Sequence, residues 1–234
     1  MTVSEEQRDW RKTIREWVKS FVVAALVVIP FRSAVADMYH VPTGSMKPTI
    51  LEGDRIFVNK LAYDLKLPLT GIRLAEWVGP ERGDVVVVLS PADGVRLVKR
   101  VAGVPGDTIA MRDNVLLIND QAARYEALDP GISAWIPPAL RSASRFHREI
   151  VDGRAHPVML TPARSSRSSF GPLTVPPDQY FLLGDNRDNS GDSRFFGFAP
   201  RELILGQVKG VVASFEPDAT LGPRWRRFAS SLDE

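Results

Sequence analysis

The first 19 residues are polar and carry Arg8, Arg11, Lys12, Arg15 and Lys19; Ser20 to Phe31 then runs for 12 residues without a charge. Arg32 interrupts, Ser33-Ala34-Val35-Ala36 follows, and Asp37 closes the stretch. Twelve residues fall short of the roughly 20 that span a bilayer. From Trp17 to Tyr39 the stretch is long enough, with Lys19 and Asp37 near its ends and the two rings at the interfaces. Arg32 then needs a protein partner or a long reach to the headgroups. Three readings stand on the pattern alone. One is a buried core helix, for which the basic flank has no use. The second is a cleaved signal peptide ending at the A-x-A site Ala34-Val35-Ala36, and the third is a retained single anchor. Both membrane readings put the N-terminus in the cytoplasm.

Beyond Tyr39 the pattern turns to short β segments. Glu52-Gly53-Asp54 is a turn and Arg55 to Val58 a strand; residues 59–80, with Pro68, Gly71 and Pro80, read as loop with one strand at most. Arg82-Gly83-Asp84 turns the chain into Val85 to Leu89, a strand apolar on both faces. Along Val95 to Val101 one face holds Val95, Leu97, Lys99 and Val101, and the other holds Arg96, Val98 and Arg100. Pro105-Gly106 suits the centre of a type II turn. Thr108 to Met111, Asp113-Asn114 and Val115 to Ile118 read as a hairpin. Residues 121–177 are rich in Pro, Ser, Arg and Ala and read as a loop-rich subdomain. Tyr180 to Leu183 is a buried strand that leads into a polar loop, Gly184 to Arg194, and Ile204 to Phe215 gives at least one more strand.

Composition narrows the chemistry. With 30 Lys+Arg against 28 Asp+Glu the net charge is +2, too balanced to argue for nucleic acid. The chain has no cysteine, which excludes a thiol nucleophile, disulfides and thiolate metal sites. His40, His147 and His156 do not have metal-ligand spacing, and the last two read as solvated loop residues. His40 would need a sharp reversal of a stiff segment to reach the Ser45 hydroxyl, so a Ser-His-Asp triad stays open but poorly supported, and the base is sought elsewhere. The 184–194 loop fails as an EF-hand calcium loop: Arg187 interrupts it and no Glu closes it; Arg187 and Arg194 can instead pair with carboxylates. Arg224-Trp225-Arg226-Arg227 reads as a solvated basic end.

Two positions then carry candidate chemistry. Ser45 lies in Pro42-Thr43-Gly44-Ser45-Met46-Lys47-Pro48-Thr49, where two prolines and a glycine stiffen an irregular segment that can present a hydroxyl and its own N–H. The bland alternative is a turn without chemistry. Lys99 is the single charge on an apolar strand face, and burial there lowers the pKa of an amine towards that of a usable base. The bland alternative is a lysine snorkelling from a sheet edge.

Taken in order, Pro42 to Thr49, Lys99-Arg100-Val101-Ala102-Gly103-Val104-Pro105-Gly106-Asp107 and Gly184 to Arg194, with an apolar segment upstream, resemble bacterial type I signal peptidase, the serine/lysine leader peptidase. The resemblance covers most of the chain. It implies a mainly β fold: an antiparallel catalytic core, 40–107 with 178–218, and an inserted β subdomain at 108–177. It also implies a cytoplasmic segment at 1–16, a transmembrane anchor at 17–39, and a basic tail at 219–234. Ser45 would be nucleophile and Lys99 general base, with Ser45 N–H and the Thr43 hydroxyl as the oxyanion hole. Ser190 would orient Lys99, while Asp185 with Arg100 and Asp192 with Arg194 would brace the site. No metal and no cofactor is implied. The partners would be signal peptides of exported preproteins, cut after small residues, and membrane lipid. The location would be the bacterial cytoplasmic membrane, single-pass, with the catalytic domain outside. Thr43 stands where the family usually has serine, Gly191 where alanine is frequent, and Phe196 where a larger aromatic is often seen. A self-cleaving Ser/Lys repressor would need a DNA-binding domain in place of residues 1–40. A specialised peptidase of the same family fits the same motifs, and a tethered β domain that only binds would not need both Ser45 and Lys99. The anchor's own Ala34-Val35-Ala36 is expected to stay uncut.

Overall fold

The computed structural model describes residues 3–67, 70, 72–164, 166–217 and 222–232. Helix α1 (Val3–Ala34) leads into β1 (Ala36–His40), β2 (Asp54–Asn59), β3 (Asp64–Lys66), β4 (Arg73–Glu76), β5 (Val85–Leu89) and β6 (Arg96–Gly103). Next come β7 (Thr108–Arg112), β8 (Val115–Ile118), β9 (Gln121–Ala122), β10 (Arg124–Ala127), the short helix α2 (Pro138–Ser142), β11 (Arg145–Val151), β12 (Arg154–Leu160) and β13 (Phe170–Thr174). The chain closes with β14 (Gln179–Leu183), α3 (Ser193–Phe196), β15 (Ala199–Pro200), β16 (Ile204–Ser214) and β17 (Ser230–Ser231).

The main sheet is antiparallel, in the order β1-β2-β16-β5-β6-β14-β15, with β17 added on β16. Its strands alternate as a sheet with two covered faces requires. Val85 and Val87 pack with Ile56, Val58, Val208 and Val211 on one side, while Val86 and Val88 pack with Val101, Leu182 and Ile204 on the other. The sheet curls strongly, so the Arg96 guanidinium of β6 reaches the Tyr39 ring of β1, at the far end of the strand order. The fold is thus mainly β and antiparallel, with a half-barrel.

Between β6 and β14 the chain builds a sheet β13-β7-β8-β9 and a sheet β10-β11-β12. The expected hairpin forms β7 and β8, and Asp113 and Asn114 adopt the positive φ of 47° and 65° that a tight hairpin turn uses. Residues 121–177 hold more strand than their composition suggests, because β11 mixes Arg145, Arg148 and Glu149 with its apolar residues and Pro157 interrupts the pattern of β12. The expected loop at 59–80 contains the hairpin β3–β4; its Pro68 and Gly71 lie outside the described residues.

The transmembrane anchor expected at 17–39, and with it the single-pass membrane location, is corrected by the structure. Among the described residues no helix is long and apolar enough to cross a membrane. The expectation treated Trp17 to Tyr39 as one helix. Instead the helix stops at Ala34, and Ala36 to His40 is hydrogen-bonded to β2, with Tyr39 opposite Ile56. What stays helical includes Lys19 and Arg32, and the uncharged run is too short to offset them.

Candidate active site

Ser45 begins a tight turn that β1 reaches through the irregular residues 41–44. Lys47 N–H donates to Gly44 O at 3.2 Å and Ile50 N–H to Met46 O at 3.0 Å. The turn is pinned from below by buried Asp54, whose carboxylate accepts from Leu51 N–H at 2.8 Å and from Arg227 Nη2 at 2.6 Å; Arg227 also donates to Thr49 O at 2.9 Å. Arg224 donates to Glu52 O at 2.9 Å. The C-terminal arginines expected to be solvated therefore hold the segment that carries Ser45. Gly44 has no positive φ, and its need is space: a Cβ there would lie 2.6 Å from Glu52 Oε1 and 2.8 Å from Lys47 Cε, which are joined by an ion pair of 2.7 Å. The Lys47–Pro48 peptide is cis.

Lys99 Nζ lies 2.7 Å from Ser45 Oγ and 2.8 Å from Val98 O. Its residue is 1% exposed, so it does not snorkel. Burial lowers its pKa from 10.5 to about 8, against the pull of Asp192 and Asp185. Its strand face differs in one place from the expected pattern, since Val95 lies outside β6 and is exposed.

The 184–194 loop closes the site from the side. Asn186 N–H donates to Ser45 O at 3.1 Å, and Asn186 Nδ2 to Gly44 O at 2.9 Å. Gly184 permits that approach, because a Cβ on it would stand 2.6 Å from Ser45 O and 2.2 Å from Ser190 Oγ. Arg100 grips Asp185 with two bonds of 2.8 Å, and Thr49 Oγ1 donates to the same carboxylate. Burial opposes ionisation of Asp185, yet Arg100 holds its pKa below the ordinary carboxylate value. Arg194 clasps Asp192 at 2.8 and 2.9 Å, while Asp192 accepts Gly184 N–H and caps α3. Both expected ion pairs thus form. The expected Ser190–Lys99 hydrogen bond does not: Ser190 Oγ is buried beside Gly184 without a partner among the described residues. Thr43 is exposed, and neither its hydroxyl nor Ser45 N–H has an acceptor among the described residues. This leaves two donors without acceptors in the segment that carries a hydroxyl–amine pair, an arrangement that acyl transfer can use.

Sequence reasoning missed the support behind the loop. Arg187 is buried and donates to Glu149 of β11 at 2.7 and 2.6 Å; Tyr125 OH donates to the same carboxylate. His156, expected in a solvated loop, is buried on β12 with Nε2 3.1 Å from Glu149 Oε1. Burial, and then Arg100, lower its pKa. Met159 brackets the loop, its N–H donating to Asp185 O and its O accepting from Arg187 N–H. A cavity of about 690 Å³ behind these residues is lined by Tyr63, Asp84, Arg100, His156 and Lys209; its lining does not include Ser45 or Lys99.

The face that does reach the pair is a gap between strand edges. Val101 bonds through its N–H and O to Asp84 and Gly83, so by alternation Val98 and Arg96 turn their backbone groups to the other edge of β6. There β14 pairs only from Arg100 onward. Likewise Val41 bonds to Asp54 and Gly53, so Met38 and His40 direct their backbone groups to the open edge of β1.

A family model described as signal peptidase, peptidase S26, matches residues 14–213. The signal peptidase I of Pseudomonas fluorescens is 33% identical over 225 residues, covering 91% of this chain and 77% of its own. That of Rickettsia typhi is 35% identical over 226 residues, covering 89% of this chain and 84% of its own. A solved signal peptidase I from Enterococcus faecalis V583 is 31% identical, covers 56% of this chain and 97% of its own, and superposes loosely, with a TM-score of 0.35.

Proposed function

The chain belongs to the signal peptidase family, peptidase S26, and from that membership we propose that it removes signal peptides from exported preproteins with Ser45 as nucleophile and Lys99 as general base. The observation that carries the reading is the 2.7 Å contact between a hydroxyl and a lysine kept out of water. In its neutral form Lys99 accepts the Ser45 proton as Oγ attacks the scissile carbonyl. The negative oxygen that develops is met by Ser45 N–H and the Thr43 hydroxyl. Collapse of the tetrahedral species expels the amine of the mature chain, which takes the proton from Lys99. The acyl-enzyme is then hydrolysed by a water that Lys99 deprotonates in turn.

The substrate binds as an added strand between the open edges of β1 and β6, reading side chains at alternate positions. Val98 and Tyr39, part-buried beside that gap on one apolar cluster, give it an apolar wall suited to the small residues of an A-x-A site. The core 40–107 with 178–218 carries the chemistry; 108–177 acts as a bracing subdomain through Glu149 and Arg187, and 219–234 as a clamp through Arg227. Asp185 with Arg100 and Asp192 with Arg194 fix the loop. Ser190 Oγ, buried without a partner among the described residues, is the hydroxyl available to orient Lys99. On α1, Trp17, Phe21 and Val28 share one face, are exposed at 74%, 76% and 51%, and meet a lipid surface. The purified protein in detergent should cut a preprotein at one position, and Ser45→Ala and Lys99→Ala should each abolish the cut. Cleavage by either well-folded variant would defeat the Ser/Lys mechanism.

A further inference from the structure

Arg96 is exposed at the mouth of the gap between β1 and β6, where its guanidinium carbon lies 4.3 Å from the centre of the Tyr39 ring. Among the described residues it has no carboxylate partner, although Arg100 on the same strand is fully engaged with Asp185. Arg96 shares a strand face with Val98, which packs on the cluster holding Tyr39, Val41 and Met46. A cation over a ring at an exposed site is a weak contact, readily given up to an incoming strand. It leaves the cation in place beside whatever fills the gap. Three positions separate Arg96 from Lys99, about 10 Å along an extended strand.

Resting on the reading of Ser45 and Lys99 as the reacting pair, we propose that Arg96 is a specificity-determining residue that favours an acidic side chain, and disfavours a basic one, about three residues from the scissile bond. The charge acts on the bound peptide and does not touch the reacting atoms. It therefore sorts substrates by kcat/KM and weakens as salt rises. Tyr39 holds the guanidinium over the groove when no peptide is bound.

The test uses the full chain in detergent. A neutral peptide with one A-x-A site is varied to Asp or Lys, one position at a time, over five positions on each side of the cut. Wild type should prefer Asp to Lys by roughly fivefold in kcat/KM at one position about three residues from the cut. In Arg96→Ala that ratio should fall close to one, and in Arg96→Glu it should invert, with the wild-type ratio shrinking in high salt. An Asp-to-Lys ratio equal in all three proteins at every position would overturn the proposal. Absence of Ser45-dependent cleavage of the neutral peptide would overturn the underlying reading, and the proposal with it.

Discussion

Asn186 is bound twice to the segment that carries the nucleophile: its side-chain Nδ2 donates to Gly44 O at 2.9 Å, and its backbone N–H to Ser45 O at 3.1 Å. The side-chain bond is the only one of the two that a substitution removes. Asn186→Ala leaves Gly44 O with only the 3.2 Å bond from Lys47 N–H, at a cost of about 0.5–1.5 kcal/mol. That loss should appear as a kcat reduced by up to about tenfold with KM little changed, because the turn that aims Oγ is loosened. Asn186→Asp should be worse, since it sets a carboxylate against a carbonyl oxygen. Steady-state kinetics beside thermal melts check both. A melt that drops with kcat intact would make Asn186 structural only.

The pH dependence follows from Lys99. With its pKa lowered to about 8, the neutral amine is about a tenth of the total at pH 7. The rate should rise with pH through about 8 and then level; a limb near 10.5 would mean a different base. Stability moves the same way. Between about 8 and 10.5 the unfolded chain binds more protons than the folded one, so stability increases with pH across that window. Below it the folded state bears the full burden of the buried ammonium. Lys99→Met should therefore be inactive yet more stable at pH 7, by roughly 2–3 kcal/mol, with the gain vanishing by about pH 10.5. Urea titrations at both pH values measure it.

Much of this architecture is legible in the sequence because it rests on local patterns. Val85 to Leu89 could only be a strand covered on both faces, and Asp113-Asn114 only a tight turn between two short apolar runs. Ser45 and Lys99 stand out as a hydroxyl on a stiff segment and a charge among apolar neighbours. The rest depends on distant partners. Glu149 and Arg187 are 38 positions apart; Arg187 reads as a partner for carboxylates of its own loop, and nothing near it points to Glu149 until the fold buries both. Arg227 lies 173 positions from Asp54, so nothing near it signals a clamp. The anchor reading failed for a related reason. Residues 36–40 carry enough apolar character to extend a helix on paper, and only their pairing with β2 shows that they belong to the sheet.

The Glu149–Arg187 pair gives a stability prediction. Burial opposes the charge on Glu149, but Arg187 and His156 hold its pKa far below the ordinary value. Its stabilisation is thus complete above the unfolded value of about 4.3 and is lost as pH falls below it. Glu149→Ala should cost about 3–5 kcal/mol at pH 7, because Arg187 is left buried and unpaired. The double variant Glu149→Leu/Arg187→Met should recover most of that loss and flatten the acid limb. Urea midpoints at pH 7 and pH 3 decide it. Equal losses in the single and double variants would mean that the pair is not the source.

The last prediction concerns the chain's own Ala34-Val35-Ala36, which fits the small-residue preference proposed for the site. The bond after Ala36 should remain uncut in the folded protein. Val35 O accepts Lys60 N–H at 2.9 Å, Ala36 pairs with Asn59 and Asp37 with Val58, and Asp37 also meets Lys60 at 3.2 Å. To be cleaved, this segment would have to leave the β1–β2 ladder and lie extended in the gap of which β1 is itself one wall. In cis the path is closed, because only nine positions join Ala36 to Ser45 and Pro42 stiffens them. In trans the first molecule must still unpair β1, which dismantles the approach to its own Ser45. Intact-mass analysis of freshly purified wild type beside Ser45→Ala reads the outcome. Both should give the full-length mass after prolonged incubation. A fragment starting at Asp37, present in wild type and absent from the serine variant, would show that β1 opens readily and that the ladder does not protect the site.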